Sequence, residues 1–287
     1  MADHVPELSF LGGEQKSSLR LCARVAHHTD VGQRRRNNQD NHLVLPLDGG
    51  DIQQGTGQGI FEIDKSGLLI AVADGMGGHF GGEVASRLCV EGLAREIVAQ
   101  IKSPDHGRAD LPSALQKTVE VTHEALFAHA QTYEEKLTMG TTLTAVLLQG
   151  THADIAQVGD SRAYLFRDGN LILLTQDQTI GNQLRSRGED PATVDAHIQE
   201  MLVQAVGAQA RVEVIMVELD LEPDDLILVC CDGLYKVVPP EDIVETLELQ
   251  TGLYEKVTQL VARANAGGGP DNITVILAEI CQVEVGG

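Results

Sequence analysis

Leu68-Leu-Ile-Ala-Val-Ala-Asp74-Gly-Met-Gly-Gly78-His79 is an apolar run that ends on a carboxylate and then turns through glycines. Six consecutive apolar residues suit a strand buried on both faces and are too few for a helix of ordinary length. Asp74 then stands at the strand end, and Gly75, Gly77 and Gly78 leave the backbone free to fold tightly around whatever the carboxylate holds. A single Asp-Gly after a strand is commonly a plain turn. The weight of the stretch therefore depends on whether other carboxylates mark strand ends in the same way.

Three do. Asp232 closes the apolar run 225–232 and is followed by Gly233; Asp40 stands just ahead of the apolar run 42–46; Asp271 just precedes the last one. Four carboxylates at the ends of four apolar strands predict convergence on one cleft, where like charges raise one another's pKa. Two divalent cations would let all four stay ionised. The donors are all oxygen, and no Cys or His recurs at ligand spacing, which favours Mg2+ or Mn2+ over zinc. Two such ions about 3.5–4 Å apart acidify a bridging water and hold both oxygens of an in-line phosphoryl displacement. That chemistry points to hydrolysis of a phosphate ester. Arg34-Arg35-Arg36 lies just ahead of Asp40. A guanidinium grips a phosphate through two parallel hydrogen bonds, so one of the three is expected to serve as the clamp.

The bulk composition narrows the alternatives. With 287 residues, 43% of them hydrophobic, the chain can bury a substantial core, and without Trp that core must be aliphatic. A net charge of −21 repels nucleic acid and anionic membranes, and no stretch has the length of a membrane span. A soluble, cytoplasmic, monomeric protein is expected. Cys22, Cys89, Cys230, Cys231 and Cys281 form an odd set without a CxxC pair. They predict buried reduced thiols in a reducing compartment, neither disulfides nor a zinc site.

Residues 1–18 carry no pattern and are expected to form a loose extension. Strands are predicted at 19–27 and 42–46, then a glycine-rich loop insertion at 47–59 and the strand that leads to Asp74. Helical spacing follows over 82–102, and Pro112 opens a second helix through 130. Further strands are predicted at 140–148, 153–158 and 163–167, with Asp168-Gly169-Asn170 as a hairpin signal into 171–174. Residues 176–211 are polar and weakly helical, like a flap. Strands at 212–219 and 225–232, helices at 241–249 and 254–265 and a strand at 271–278 complete the chain. Strands and helices do not alternate as βαβ units, so two antiparallel sheets packed together with helices outside are expected.

The motifs, taken together, resemble a known family. Asp30-x-Gly32-x-x-Arg35-x-x-Asn38-Gln39-Asp40, Ala73-Asp-Gly-Met-Gly-Gly-His79 and Gly140-Thr-Thr142 occur in order. So do Val158-Gly-Asp-Ser-Arg162, Cys231-Asp-Gly233 and Gly268-Gly-x-Asp-Asn-Ile-Thr-Val275. This set is similar to the metal-dependent Ser/Thr protein phosphatases of the 2C type (the PPM family), bacterial branch. The resemblance implies an α+β, four-layer α-β-β-α sandwich over residues 19–283, with a centre of two Mg2+ or Mn2+ ions in an edge cleft. It implies that Asp74 bridges both ions, that the Gly75 carbonyl joins one coordination shell, and that Asp232 and Asp271 complete the other. Asp40 would act near the ions, partly through water, and Arg35 would bind the phosphate. The nucleophile would be metal-activated water, and the substrates phosphoproteins made by a Ser/Thr kinase.

Several positions depart from the family pattern. Bacterial members often carry an acidic residue before Met-Gly-Thr-Thr for a third metal; here the loop reads Glu134-Glu-Lys-Leu-Thr138, which leaves Glu135 as the candidate ligand. Cys231 replaces the usual Ser, and Asp177-Gln-Thr179 stands for Asp-His-Ser/Thr. His79 is a candidate proton donor to the leaving alkoxide. Asp160 is expected to fix a turn or orient water, Arg162 to pair with it or with another carboxylate, and Thr141 and Thr142 to pack the strand. A non-enzymatic module on the same scaffold would be marked by a lost core ligand, and every core position is filled. An enzyme acting on nucleotides or nucleic acid is opposed by the charge and the lack of a basic groove.

Overall fold

A computed structural model describes residues 18–64, 66–77, 81–101, 111–132 and 139–285. β1 (Ser18–Asp30), β2 (Asp40–Pro46), β3 (Gly57–Glu62) and β4 (Leu68–Met76) precede α1 (Gly81–Ile101) and α2 (Leu111–Ala130). Then come β5 (Gly140–Thr141), β6 (Leu143–Gln149), β7 (His152–Val158), β8 (Arg162–Arg167) and β9 (Asn170–Leu173). The segment 176–211, expected from sequence to form a flap, holds α3 (Ile180–Ser186), a 3-10 turn (Pro191–Thr193) and α4 (Ala196–Gln199). β10 (Ile215–Asp220), β11 (Leu226–Cys230), α5 (Asp232–Tyr235), α6 (Pro240–Glu248), α7 (Leu253–Ala266) and β12 (Ile273–Val285) end the chain.

The strands form two antiparallel six-stranded sheets, one ordered β3-β1-β12-β11-β8-β9, the other β10-β7-β6-β4-β2 with β5 added beside β4. β4 explains why the sheets stack. Its Leu69, Ala71 and Ala73 pack with Ala85, Leu93 and Ile97 of α1 and with Leu115 and Val119 of α2. The alternate residues Leu68, Ile70 and Val72 meet Val25, Ile227 and Ile276 of the facing sheet. A third core joins Leu228, Val275 and Leu277 to Ile243 and Leu247 of α6 and Leu260 and Val261 of α7. Three cores separate four layers, which is the α-β-β-α sandwich the family resemblance implied. Each fully buried Leu, Ile or Val contributes about 1.5–3 kcal/mol relative to leaving it exposed. A run apolar on both faces is thus stable only as a middle layer.

The pairing brings the carboxylate-bearing ends together. Asp40 opens β2 directly opposite Asp74 on β4, while β11 ends and β12 begins at the same edge of the facing sheet. The hairpin signal also holds: Asp168 and Gly169 both take left-handed backbone (φ 52° and 76°), and Arg167 pairs with Asn170.

Other expectations need correction. Cys22 and Cys281 are joined in a disulfide; they face each other in the β1–β12 register with Cα atoms 5.1 Å apart. A separation of 259 residues hides this neighbourhood from the sequence. The other cysteines, Cys89, Cys230 and Cys231, are free and buried as expected. The inference of a reducing compartment from uniformly reduced thiols loses its support. The insertion at 47–59 is not all loop: β3 takes over at Gly57 and forms a sheet edge against β1, and Gln53 bridges Val44. The strand expected at 140–148 breaks at Thr142, and the one expected at 212–219 starts only at Ile215. The run expected to reach Asp232 stops at Cys230, and Asp232 opens the short helix α5. Residues 1–17 lie outside the described residues. No described helix is long and apolar enough to cross a membrane.

Candidate metal centre

A cleft of about 440 Å³ at this common edge is lined by Arg35, Asp74, Gly75, Asp160, Asp232 and Asp271, among others. Of the arginine triplet only Arg35 lines it. Its guanidinium donates to Asp271 Oδ2 at 2.6 Å, a bond that raises the Arg35 pKa and keeps the charge fixed at the cleft. Asp40 does not open onto the cleft; it is buried behind Asp74, with its Oδ2 accepting from Thr274 Oγ1 at 2.7 Å. His79 and Glu135 lie outside the described residues.

Each carboxylate is positioned through its neighbours' backbone. Asp74 N donates to Thr142 Oγ1, and Asp74 O accepts from Thr142 N and Thr141 Oγ1. Thr141 and Thr142, read from sequence as strand packing, therefore fix Asp74 and leave its side chain uncommitted. Asn272 ties the arginine loop to Asp271: its Oδ1 accepts from Gln39 N and its Nδ2 donates to the carbonyls of Val31 and Asn37. Cys231 Sγ accepts from Thr274 N and donates to Asn272 O, so the Cys in the usual Ser position binds β12 to the start of α5.

The Asp-Gly pairs prove to be matters of close approach. A Cβ on Gly75 would lie 2.1 Å from Gly82 O, and one on Gly233 1.9 Å from Asn272 O. Neither glycine has positive φ; what each supplies is room for a second backbone against the carboxylate-bearing turn.

Without a counter-charge this cluster cannot ionise fully. Burial raises the Asp74 pKa well above the usual carboxylate range, and Asp40, Asp232, Asp271 and Asp160 add like charge. Burial, with Asp232 and Asp271 adding, pushes Asp40 up to about 7 despite its bond to Thr274. Burial and then Asp232 push Asp160 up to about 6. Asp40 Oδ1 and Asp232 Oδ1 are buried without a hydrogen-bond partner, a costly state for a carboxylate oxygen. A hard divalent cation supplies both missing things, charge and a partner for the oxygens. Among the described residues no group of three or more Asp, Glu, His or Cys side chains is placed to hold a metal ion by itself. Mg2+ takes only one or two carboxylates and keeps several waters, so an open oxygen-donor set fits it.

The profile of the family described as protein phosphatase 2C matches residues 50–277. The serine/threonine phosphatase stp of Listeria innocua is 32% identical over 88% of this chain and 93% of its own length. The chain belongs to the protein phosphatase 2C family. Solved structures agree. The serine/threonine phosphatase PstP/Ppp of Mycobacterium tuberculosis superposes with a TM-score of 0.72 at 34% identity, covering 90% of this chain and 98% of its own. The catalytic domain of PstP in complex with two manganese ions gives 0.71 at 33% identity, over 91% of this chain and 99% of that one.

Within this phosphatase fold, the cleft holds a second cation, Lys236, that no sequence motif marks. Lys236 Nζ lies 2.8 Å from Asp232 Oδ2. Its signal was the spacing of four residues from Asp232, legible only once the segment after Asp232 is known to be helical. Arg162 clamps Asp177 through two bonds of 2.9 and 2.7 Å and stacks on Tyr235, 3.7 Å from the ring centre. Its partner is thus a flap carboxylate and not Asp160.

Proposed function

We propose that the protein hydrolyses phosphoserine and phosphothreonine monoesters of phosphoproteins made by Ser/Thr kinases, acting as a monomer with two Mg2+ or Mn2+ ions. Asp74, Asp232, Asp271 and the Gly75 carbonyl would hold the ions, with Asp40 supporting them from behind. When bound, the ions activate water and neutralise phosphate charge. The observation that carries this reading is the pair of unpartnered buried oxygens, Asp40 Oδ1 and Asp232 Oδ1, beside an Arg-bearing cleft.

The chain's own residues do the rest. Arg35 binds and orients the phosphoryl oxygens; already held against Asp271, it meets the substrate as a fixed charge. Thr141 and Thr142 keep Asp74 in place while substrate and product exchange. His79 would give a proton to the leaving alkoxide, and Glu135 would hold a third ion; both assignments rest on the resemblance.

Turnover of p-nitrophenyl phosphate and of a phosphothreonine peptide with Mn2+, with and without chelator, tests the function. Metal-dependent release of phosphate from both is expected. Phosphate release that persists in chelator, or none with either metal, overturns it. For Glu135, the Mn2+ concentration giving half-maximal turnover should rise in Glu135→Ala; an unchanged value removes the assignment.

A further inference from the structure

Lys236 occupies the wall between two spaces. The acidic cleft and the neighbouring hollow under the flap share Asp160, Glu200 and Lys236 as lining residues. Lys236 Nζ lies 2.8 Å from Asp232 Oδ2, 3.5 Å from Asp160 Oδ2 and 3.8 Å from Glu200 Oε2. These carboxylates come from three different places: α5, the turn between β7 and β8, and the end of α4. An ammonium has three N–H donors and no acceptor, so one group faces three acceptors from separate elements.

Exposed ion pairs contribute little because water screens them. Here the Asp160 and Asp232 side chains are only 8% and 18% exposed, so their charges are weakly screened. We propose that Lys236 is a built-in counter-cation of the metal centre. In the metal-free protein it offsets part of the negative charge of the Asp160–Asp232–Glu200 corner, and it competes with a divalent ion for Asp232. This rests on the reading of Asp232 as a metal ligand. Two cations on one carboxylate repel each other, so the ion at Asp232 binds more weakly than it would without the lysine. The Lys236 side chain is 35% exposed. It has solvent to swing into.

The test is Mn2+ binding by isothermal titration, with thermal unfolding in chelator, on wild type, Lys236→Met and Lys236→Arg. Lys236→Met should bind one Mn2+ at least about fivefold more tightly and unfold at a lower temperature in chelator, because the corner has lost its counter-charge. Lys236→Arg, which keeps the charge, should follow the wild type in both. Lys236→Gln, uncharged and polar, replaces the Met variant if that one does not fold. Mn2+ affinity in the uncharged variant equal to or weaker than wild type overturns the proposal. Wild-type protein that takes up no Mn2+ and turns over no p-nitrophenyl phosphate removes the metal-centre reading itself. Wild type that binds Mn2+ beside an indistinguishable Lys236→Met removes the counter-cation alone.

Discussion

Asp74 is held by its main chain, and this separates two kinds of residue at the centre. Its carboxylate sits among like charges that burial already disfavours. Asp74→Asn should therefore lower metal-supported kcat by at least about 100-fold, yet raise the unfolding temperature in chelator by removing repulsion. A variant that melts lower than wild type in chelator would show that the carboxylate stabilises the fold. Thr142 is the opposite case. Its Oγ1 accepts from Asp74 N and also meets Ser161 Oγ at 2.6 Å. Thr142→Val leaves the part-buried Asp74 N–H without this partner, a cost toward the low end of the roughly 1–3 kcal/mol of a buried group. Lower stability with or without metal and a fall of about tenfold in kcat are expected; unchanged stability in urea unfolding would refute the brace. For His79 the leaving group discriminates. A p-nitrophenolate leaves without help, whereas a serine alkoxide needs a proton. His79→Ala should thus cost the phosphopeptide at least tenfold more than p-nitrophenyl phosphate, and equal losses on the two substrates would rule it out as the acid.

The elements show why parts of this centre were legible in the sequence. A strand apolar on both faces announces a middle layer, so residues 68–73 were legible as a doubly buried strand, while the order of strands and helices gave two packed sheets and the motif resemblance the four layers; the carboxylates stood out because each stands at the end of an apolar run. What decides lateral pairing is long-range and leaves no local trace. Nothing near Thr142 or Asn272 in the chain shows that they brace Asp74 and the arginine loop, and α5 was hidden because four residues carry no periodicity. The contact of β1 with β2 across the two sheets is of the same kind. There His27 Nδ1 and His42 Nε2 lie 2.9 Å apart. Burial, with His27 and then His28 adding like charge, pushes the His42 pKa down to about 3, and burial also lowers that of His27. Below about pH 6.5 the unfolded chain binds protons that the folded pair refuses. The His42 contribution to stability must then fall as pH drops from about 6.5 toward 3, at up to about 1.4 kcal/mol per pH unit, against the opposite contribution of Asp40, Asp74 and Asp160, whose raised pKa values favour the folded state as pH falls. Urea unfolding between pH 7 and 5 measures the slope. His42→Asn keeps a polar side chain without the titration, so the wild-type stability minus that of the variant should fall between pH 7 and 5, and a difference that does not change with pH would remove His42 as an acid sensor.

Across the whole molecule, the two ends of the described chain are zipped together, from Ser18 opposite Val285 to Asp30 opposite Ile273. One end of this ladder carries the metal-centre side of β12; the other carries the Cys22–Cys281 bond. Cys281 lies eight residues along β12 from Ile273, about 27 Å at the rise of an extended strand. The bond is thus remote from the chemistry but closes nearly the full length of the chain. A cross-link over a loop of this size removes unfolded-state entropy worth about 5 kcal/mol in the chain-entropy account. For a chain of this length that corresponds to roughly 10 °C in unfolding temperature. Reduction, or the double replacement Cys22→Ala with Cys281→Ala, should lower the unfolding temperature by about that amount. Turnover at 25 °C should stay within about twofold, because the ladder's hydrogen bonds hold the carboxylate end without the sulfurs. Unfolding temperatures that match with and without reductant would show that the bond adds no constraint. A loss of turnover at unchanged stability would show instead that strain at the disulfide end reaches the centre along β12.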